Sequence, residues 1–91
     1  MIFWFSGGPG VSSLMGMMMQ HGPYTIPEGK DSFEKNPYSW NREANVFYIE
    51  SPAYVGFSMC PTPNECNFDD FTSADDNLKA VLGVLNKFPE L

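Results

Sequence analysis

The chain has 91 residues, a formal net charge of −6, and 43% apolar and 15% aromatic residues. The acidic residues are spread from Glu28 to Glu90 as a solvated surface and leave no basic patch for a phosphate backbone, so nucleic-acid binding is excluded. No apolar stretch approaches the roughly 20 residues that a membrane span needs, and the apolar content is enough for a core.

Ile2-Phe3-Trp4-Phe5 is a short, wholly apolar strand that stops at Ser6-Gly7-Gly8-Pro9-Gly10. Val11 to Gln20 then reads as a helix capped by Ser12 or Ser13. Leu14, Met15, Met17, Met18 and Met19 predict that it is buried on most sides, with the methionines as core filler. A strand feeding a glycine loop and then a helix lets bare backbone N–H groups approach an anion. Glycine has no Cβ to block that approach and tolerates positive φ, and the helix N-terminus adds partial positive charge. In an acyl-transfer enzyme this is how an oxyanion hole is built; in a purely structural role it is a tight turn. Neither Gly-Lys-Ser/Thr nor a helix-opening Gly-x-Gly-x-x-Gly is present, so the loop is not a phosphate loop.

Gly22-Pro23 ends the helix, and Tyr24 to Trp40 reads as a polar connection. Asn45 to Glu50 is a second strand whose continuous run Val46-Phe47-Tyr48-Ile49 suits a central parallel position. Pro52 terminates it, and Ala53 to Phe57 forms a glycine-containing loop at its C-terminal end, the edge where open α/β sheets bind ligands. Met59 to Phe71 is a loop rich in Pro, Asn and Asp. Its two cysteines, Cys60 and Cys66, can close a disulfide in a secreted protein, stay as free thiols, or pair with cysteines beyond Leu91. Together with one distant histidine they do not make a zinc set, and no other metal or cofactor motif is present. Thr72 to Phe88 is the clearest helix: Thr72 with Asp75 resembles a capping box, and Leu78, Val81, Leu82 and Leu85 mark one apolar face. Pro89 stops it.

Several residues attract a catalytic reading and do not sustain it. His21 lacks an Asp and a Ser in the required roles, and Ser12 and Ser13 are better explained as caps. Glu50 and Ser51 read as structural ends of the second strand. Asp69-Asp70 and Asp75-Asp76 form neither an acid–base pair nor a calcium loop.

Six segments together, in this order and spacing, resemble the serine carboxypeptidases, a branch of the α/β-hydrolases. They are Trp4–Ser13, Asn36–Asn41, Ala44–Ala53, Val55–Ser58, Ala74–Leu78 and Lys87–Leu91, and they span essentially the whole chain. The resemblance implies an α/β fold with a mostly parallel sheet flanked by helices, of which residues 1–91 are one part. It implies hydrolysis of C-terminal peptide bonds by Ser-His-Asp acyl-enzyme chemistry, with a peptide or protein C-terminus as partner, no cofactor, and a lysosomal, vacuolar or secreted location. The family's nucleophile elbow of type Gly-x-Ser-x-Gly, and its Asp and His, fall beyond Leu91. The 91 residues alone are therefore expected to be inactive. No signal peptide precedes the strand at Met1, so the expectation is a truncated start or a cytosolic product.

By the same resemblance, the Gly8 N–H is one oxyanion donor and Gly7 permits the turn. Ser6 and Gln20 stand where the family has the Asn and Glu that hold the substrate's terminal carboxylate. An amide at Gln20 donates at any pH, whereas a Glu donates only when protonated, so carboxylate recognition is expected to be weaker or less acid-dependent. Val11 replaces a usual cysteine, Tyr54 a usual glycine and Met59 a usual tyrosine. Two other readings stay open: an acyltransferase of the kind found among relatives that alter the loop Asn, and a non-catalytic remnant or binding protein.

Overall fold

The computed structural model of the protein describes residues 1–62 and 64–91. In chain order these form β1 (Ile2–Phe5), α1 (Ser13–Gly16) running into one π turn (Met17–His21), β2 (Tyr24–Thr25), β3 (Glu34–Lys35), a 3-10 turn (Trp40–Arg42), β4 (Val46–Ile49) and α2 (Asp70–Lys87). β1 and β4 pair in parallel, with Phe3 opposite Phe47 and Trp4 opposite Tyr48. Because successive side chains alternate between faces, the two apolar runs split into two sets. Phe3 and Phe47 stack at 5.2 Å on one face, where Phe88 at the end of α2 approaches Phe47 at 6.5 Å. Trp4 and Tyr48 lie on the other face against His21. The helical segments thus flank a parallel pair on both faces, which is an α/β arrangement.

The face beneath α1 is organised by His21, which is buried. Its ring stacks on Trp40 at 4.3 Å and meets Trp4 edge-on at 4.4 Å, and its Nδ1 shares a 3.0 Å hydrogen bond with the Tyr48 hydroxyl. The Trp4 indole also explains Gly16, since a Cβ there would stand 2.9 Å from Trp4 Nε1. Burial lowers the His21 pKa below its ordinary value of 6.5 and raises that of the Tyr48 hydroxyl.

The first helix differs from the expected Val11–Gln20 element. Only Ser13–Gly16 is α-helical, and the following five residues widen into the π turn. Gly22 accounts for the widening: it packs so closely on the Met17 carbonyl that a Cβ would stand 2.0 Å from that oxygen. Pro23 holds Gly22 extended, so the helix must close before it. Nor is this segment buried on most sides, since Met15 and Met19 are exposed. The connection from Tyr24 to Trp40 is not wholly irregular either, because β2 and β3 pair antiparallel within it.

The second strand is Val46–Ile49, one residue shorter at each end than expected. All four of its residues are half-buried, because each strand of the pair has only one neighbouring strand among the described residues. α2 opens two residues earlier than Thr72, and its capping box is Asp69 with Thr72 rather than Thr72 with Asp75. Asp69 accepts from the Thr72 N–H at 2.8 Å, and Thr72 Oγ1 accepts from the Asp69 N–H at 3.1 Å. The half-buried positions of α2 are Ser73, Asn77, Ala80, Val81 and Val84. Leu78, Leu82 and Leu85 lie on an exposed flank instead.

Two outcomes follow from this packing. His21 has a folded pKa below its unfolded one, so its contribution to stability is complete above pH 6.5 and drains as pH falls through the lower folded value. Urea midpoints measured from pH 7.5 downward will therefore begin to fall below pH 6.5, before the carboxylates titrate, and His21→Phe will remove that early part of the slope. Asp69→Ala will fray the first turn of α2, read as faster amide exchange at Thr72 with exchange near Val84 unchanged.

Candidate functional site

The loop that follows β1 begins at Ser6 and ends at Ser12, and both ends are tied down by hydroxyl groups. The Ser6 N–H donates to Ser13 Oγ at 3.1 Å, and Ser13 Oγ donates in turn to the Ile49 carbonyl at 2.5 Å. Ser12 Oγ accepts from the Leu14 N–H at 3.2 Å as the helix cap, and its own proton goes to the Glu50 carboxylate. The strands β1 and β4 and the helix α1 therefore converge at the C-terminal edge of the parallel pair, with the glycine loop standing above it.

Gly8 has φ +131° and Gly10 φ +97°, conformations that a side chain would strain. A Cβ on Gly8 would also stand 2.9 Å from Val11 Cγ2. The backbone N–H groups of Gly7 and Gly8 make no hydrogen bond among the described residues. Ser6, Gly7 and Gly8 line a cleft of about 280 Å³ whose far wall includes Ser51, Phe68 and Asp69. Ser6 Oγ accepts from Trp4 Nε1 at 3.1 Å, which leaves its proton free to donate.

The loop after β4 is held by Glu50. Its Oε2 accepts from the Phe57 N–H at 2.5 Å, and its backbone carbonyl accepts from Ser58 Oγ at 2.6 Å. Gly56, at φ +55°, lies against the same carboxylate, and a Cβ there would overlap it at 1.9 Å. The Ser12 hydroxyl, and after it the Phe57 N–H, lower the Glu50 pKa below its ordinary value, so the group is held as an ionised acceptor. Tyr54 sits at φ 71°, a left-handed conformation rare for a tyrosine, and its ring meets Phe68 edge-on at 5.9 Å.

Of the residues singled out from the sequence, Ser6, Gly7 and Gly8 come together in the cleft. Gln20 does not join them: it is exposed on the π turn, and its carbonyl accepts from Asn36 Nδ2 at 3.3 Å. Cys60 and Cys66 are joined by a disulfide. Ser12 does cap α1, whereas Ser13 is fully buried and works as a tie between elements. His21 lies under α1, against Tyr48 and two tryptophans, with no carboxylate partner among the described residues. Glu50 was the residue most underrated by sequence reasoning; the one signal available was the glycine at position 56, six residues on, whose missing side chain makes room for the carboxylate. Among the described residues no group of three or more His, Cys, Asp or Glu is gathered to hold a metal ion. No helix among them is long and apolar enough to cross a membrane.

Comparison with known proteins places this chain in a family. The chain is 44% identical over 89 residues to the lysosomal protective protein of Mus musculus, covering 98% of this chain and 19% of that protein. It is 42% identical over 90 residues to a serine carboxypeptidase of Caenorhabditis elegans and 40% identical over 90 residues to serine carboxypeptidase-like 36 of Arabidopsis thaliana. Each of those two alignments covers 99% of this chain and 19% of the relative, so the chain spans about a fifth of the length of the curated relatives it matches. The family model for serine carboxypeptidases matches residues 1–91, and the chain belongs to that family.

Proposed function

We propose that these residues form the oxyanion-loop part of an α/β-hydrolase domain that removes C-terminal residues from peptides by Ser-His-Asp acyl-enzyme chemistry. The observation that carries the proposal is the pair of unbonded N–H groups at Gly7 and Gly8, presented on a cleft at the C-terminal edge of a parallel strand pair. A tetrahedral oxyanion needs donors that are already aimed and need not reorganise, and Gly8 supplies one such donor. The second donor, the nucleophile, the base and its orienter come from sequence outside these 91 residues.

In this reading the substrate is a peptide with a free terminal carboxylate. Ser6 keeps one short hydroxyl donor at the cleft; Gln20 takes the sequence position of the family's acidic residue but is exposed on the π turn, outside the cleft. A disulfide between Cys60 and Cys66 suits an oxidising compartment, and among the lysosomal, vacuolar and secreted locations the name of the mouse relative supports the lysosomal one. Ser6 in place of the family's Asn also favours a second reading, transfer of the acyl group to an alcohol rather than to water.

The deciding experiment is to sequence the transcript on both sides of codons 1–91 and to assay the full-length product. A Gly-x-Ser-x-Gly elbow with later Asp and His, and release of free C-terminal amino acids from a blocked dipeptide, support the proposal. Transfer to an added alcohol in preference to water selects the acyltransferase, and loss of the elbow leaves a non-catalytic remnant. In the active product, Gly8→Ala keeps the N–H but displaces it, because φ is +131° and the new Cβ would meet Val11 Cγ2 at 2.9 Å. Its kcat will fall by about 100-fold, as when one oxyanion donor is lost. Ser6→Asn with Gln20→Glu will move the pH profile of kcat/KM toward acid for free-carboxylate peptides; an unchanged profile removes these two residues from the carboxylate site.

A further inference from the structure

We propose that Glu50 is the positioning residue of the glycine loop: its carboxylate, held between Ser12 Oγ and the Phe57 N–H, sets where the Gly8 N–H points. This rests on reading Gly8 as an oxyanion donor.

The loop itself cannot fix that direction. Three of its residues are glycines, the least constrained residues in a chain, and the Gly7 and Gly8 N–H groups have no internal partner among the described residues. What remains is its two ends. At the first, Ser6 is tied through Ser13 to the Ile49 carbonyl. At the second, Ser12 is tied to Glu50, the very next residue of the chain after Ile49. Both anchors thus sit on adjacent residues at one strand end, and the second opposes rotation of the loop about the first.

Glu50 is built to serve as that stop. One carboxylate oxygen takes the Ser12 proton, and the other takes the Phe57 N–H. Gly56 at φ +55° leaves the space that the carboxylate fills, and the Glu50 carbonyl is fixed by Ser58. An ionised carboxylate accepts on both oxygens, whereas an amide can accept on only one. Its ionisation therefore matters to the geometry, and the hydrogen bonds that lower its pKa keep it ionised in mildly acidic solution.

The test uses the full-length product carrying Glu50→Gln, Ser12→Ala or Ser12→Thr, with two readouts. The first is amide hydrogen exchange at Gly7 and Gly8, which does not require activity. The second is kcat and KM on a blocked dipeptide with a free carboxylate. Glu50→Gln and Ser12→Ala are expected to speed exchange at Gly7 and Gly8 while exchange in α2 is unchanged. They should lower kcat by about 10- to 100-fold with KM within about twofold, because a misaimed oxyanion donor is missed only in the transition state. Ser12→Thr, which keeps the hydroxyl, should behave like the parent. If Glu50→Gln does not fold, the Ser12→Ala and Ser12→Thr pair decides the matter. Unchanged exchange at both glycines in a folded variant overturns the proposal, as does an unchanged kcat in an active parent. Faster exchange in a product whose parent hydrolyses nothing upholds the positioning role and removes the hydrolase reading instead.

Discussion

The hydroxyl of Ser13 is the constraint on which the rest of the arrangement depends. It is the one fully buried side chain among the described residues, and it accepts from the Ser6 N–H while donating to the Ile49 carbonyl. Those partners belong to the residue after β1 and to the last residue of β4, and Ser13 itself opens α1. A buried hydroxyl without partners is costly, and so are the amide and carbonyl it would abandon. The three elements can therefore meet in only one way at that point, and the glycine loop is left above the sheet edge rather than folded across it.

Around that point the packing is unequal. The face under α1 is closed by an aromatic group of Trp4, His21, Trp40 and Tyr48, tight enough that a glycine is needed at position 16. The opposite face is closed only where Phe88 reaches Phe47, and α2 turns Leu78, Leu82 and Leu85 away from the strands. The aromatic group thus packs the face of the pair that carries α1.

The strands and the long helix were legible in the sequence because each carries an unbroken local signal: apolar runs at Ile2–Phe5 and Val46–Ile49, and i, i+3, i+4 spacing in α2. The early end of α1 was not, because it is set by the contact of Gly22 on the Met17 carbonyl, which no periodicity encodes. The cap at Asp69 was missed for a subtler reason. Thr72 with Asp75 offers the same residue pattern three positions later, and only the backbone geometry separates the two. Leu78, Val81, Leu82 and Leu85 share helical spacing, but Val81 lies on the half-buried side of α2 and the leucines on an exposed flank, a split that spacing alone does not encode. At the site, Gly7, Gly8 and Ser6 stood out by composition, whereas Glu50 gains its meaning from partners 38 and 7 residues away.

The fit of Glu50 against Gly56 ties two codons together. Any side chain at position 56 would enter the volume that the carboxylate fills, so substitution there is admissible only after residue 50 has shortened or swung away. Shortening residue 50 first would instead take the acceptor away from the Phe57 N–H and the Ser12 hydroxyl. Each change bears on the other, so the two positions should covary among homologues. Because the backbone at 56 is left-handed, the residue that arrives with a shortened position 50 should most often be asparagine.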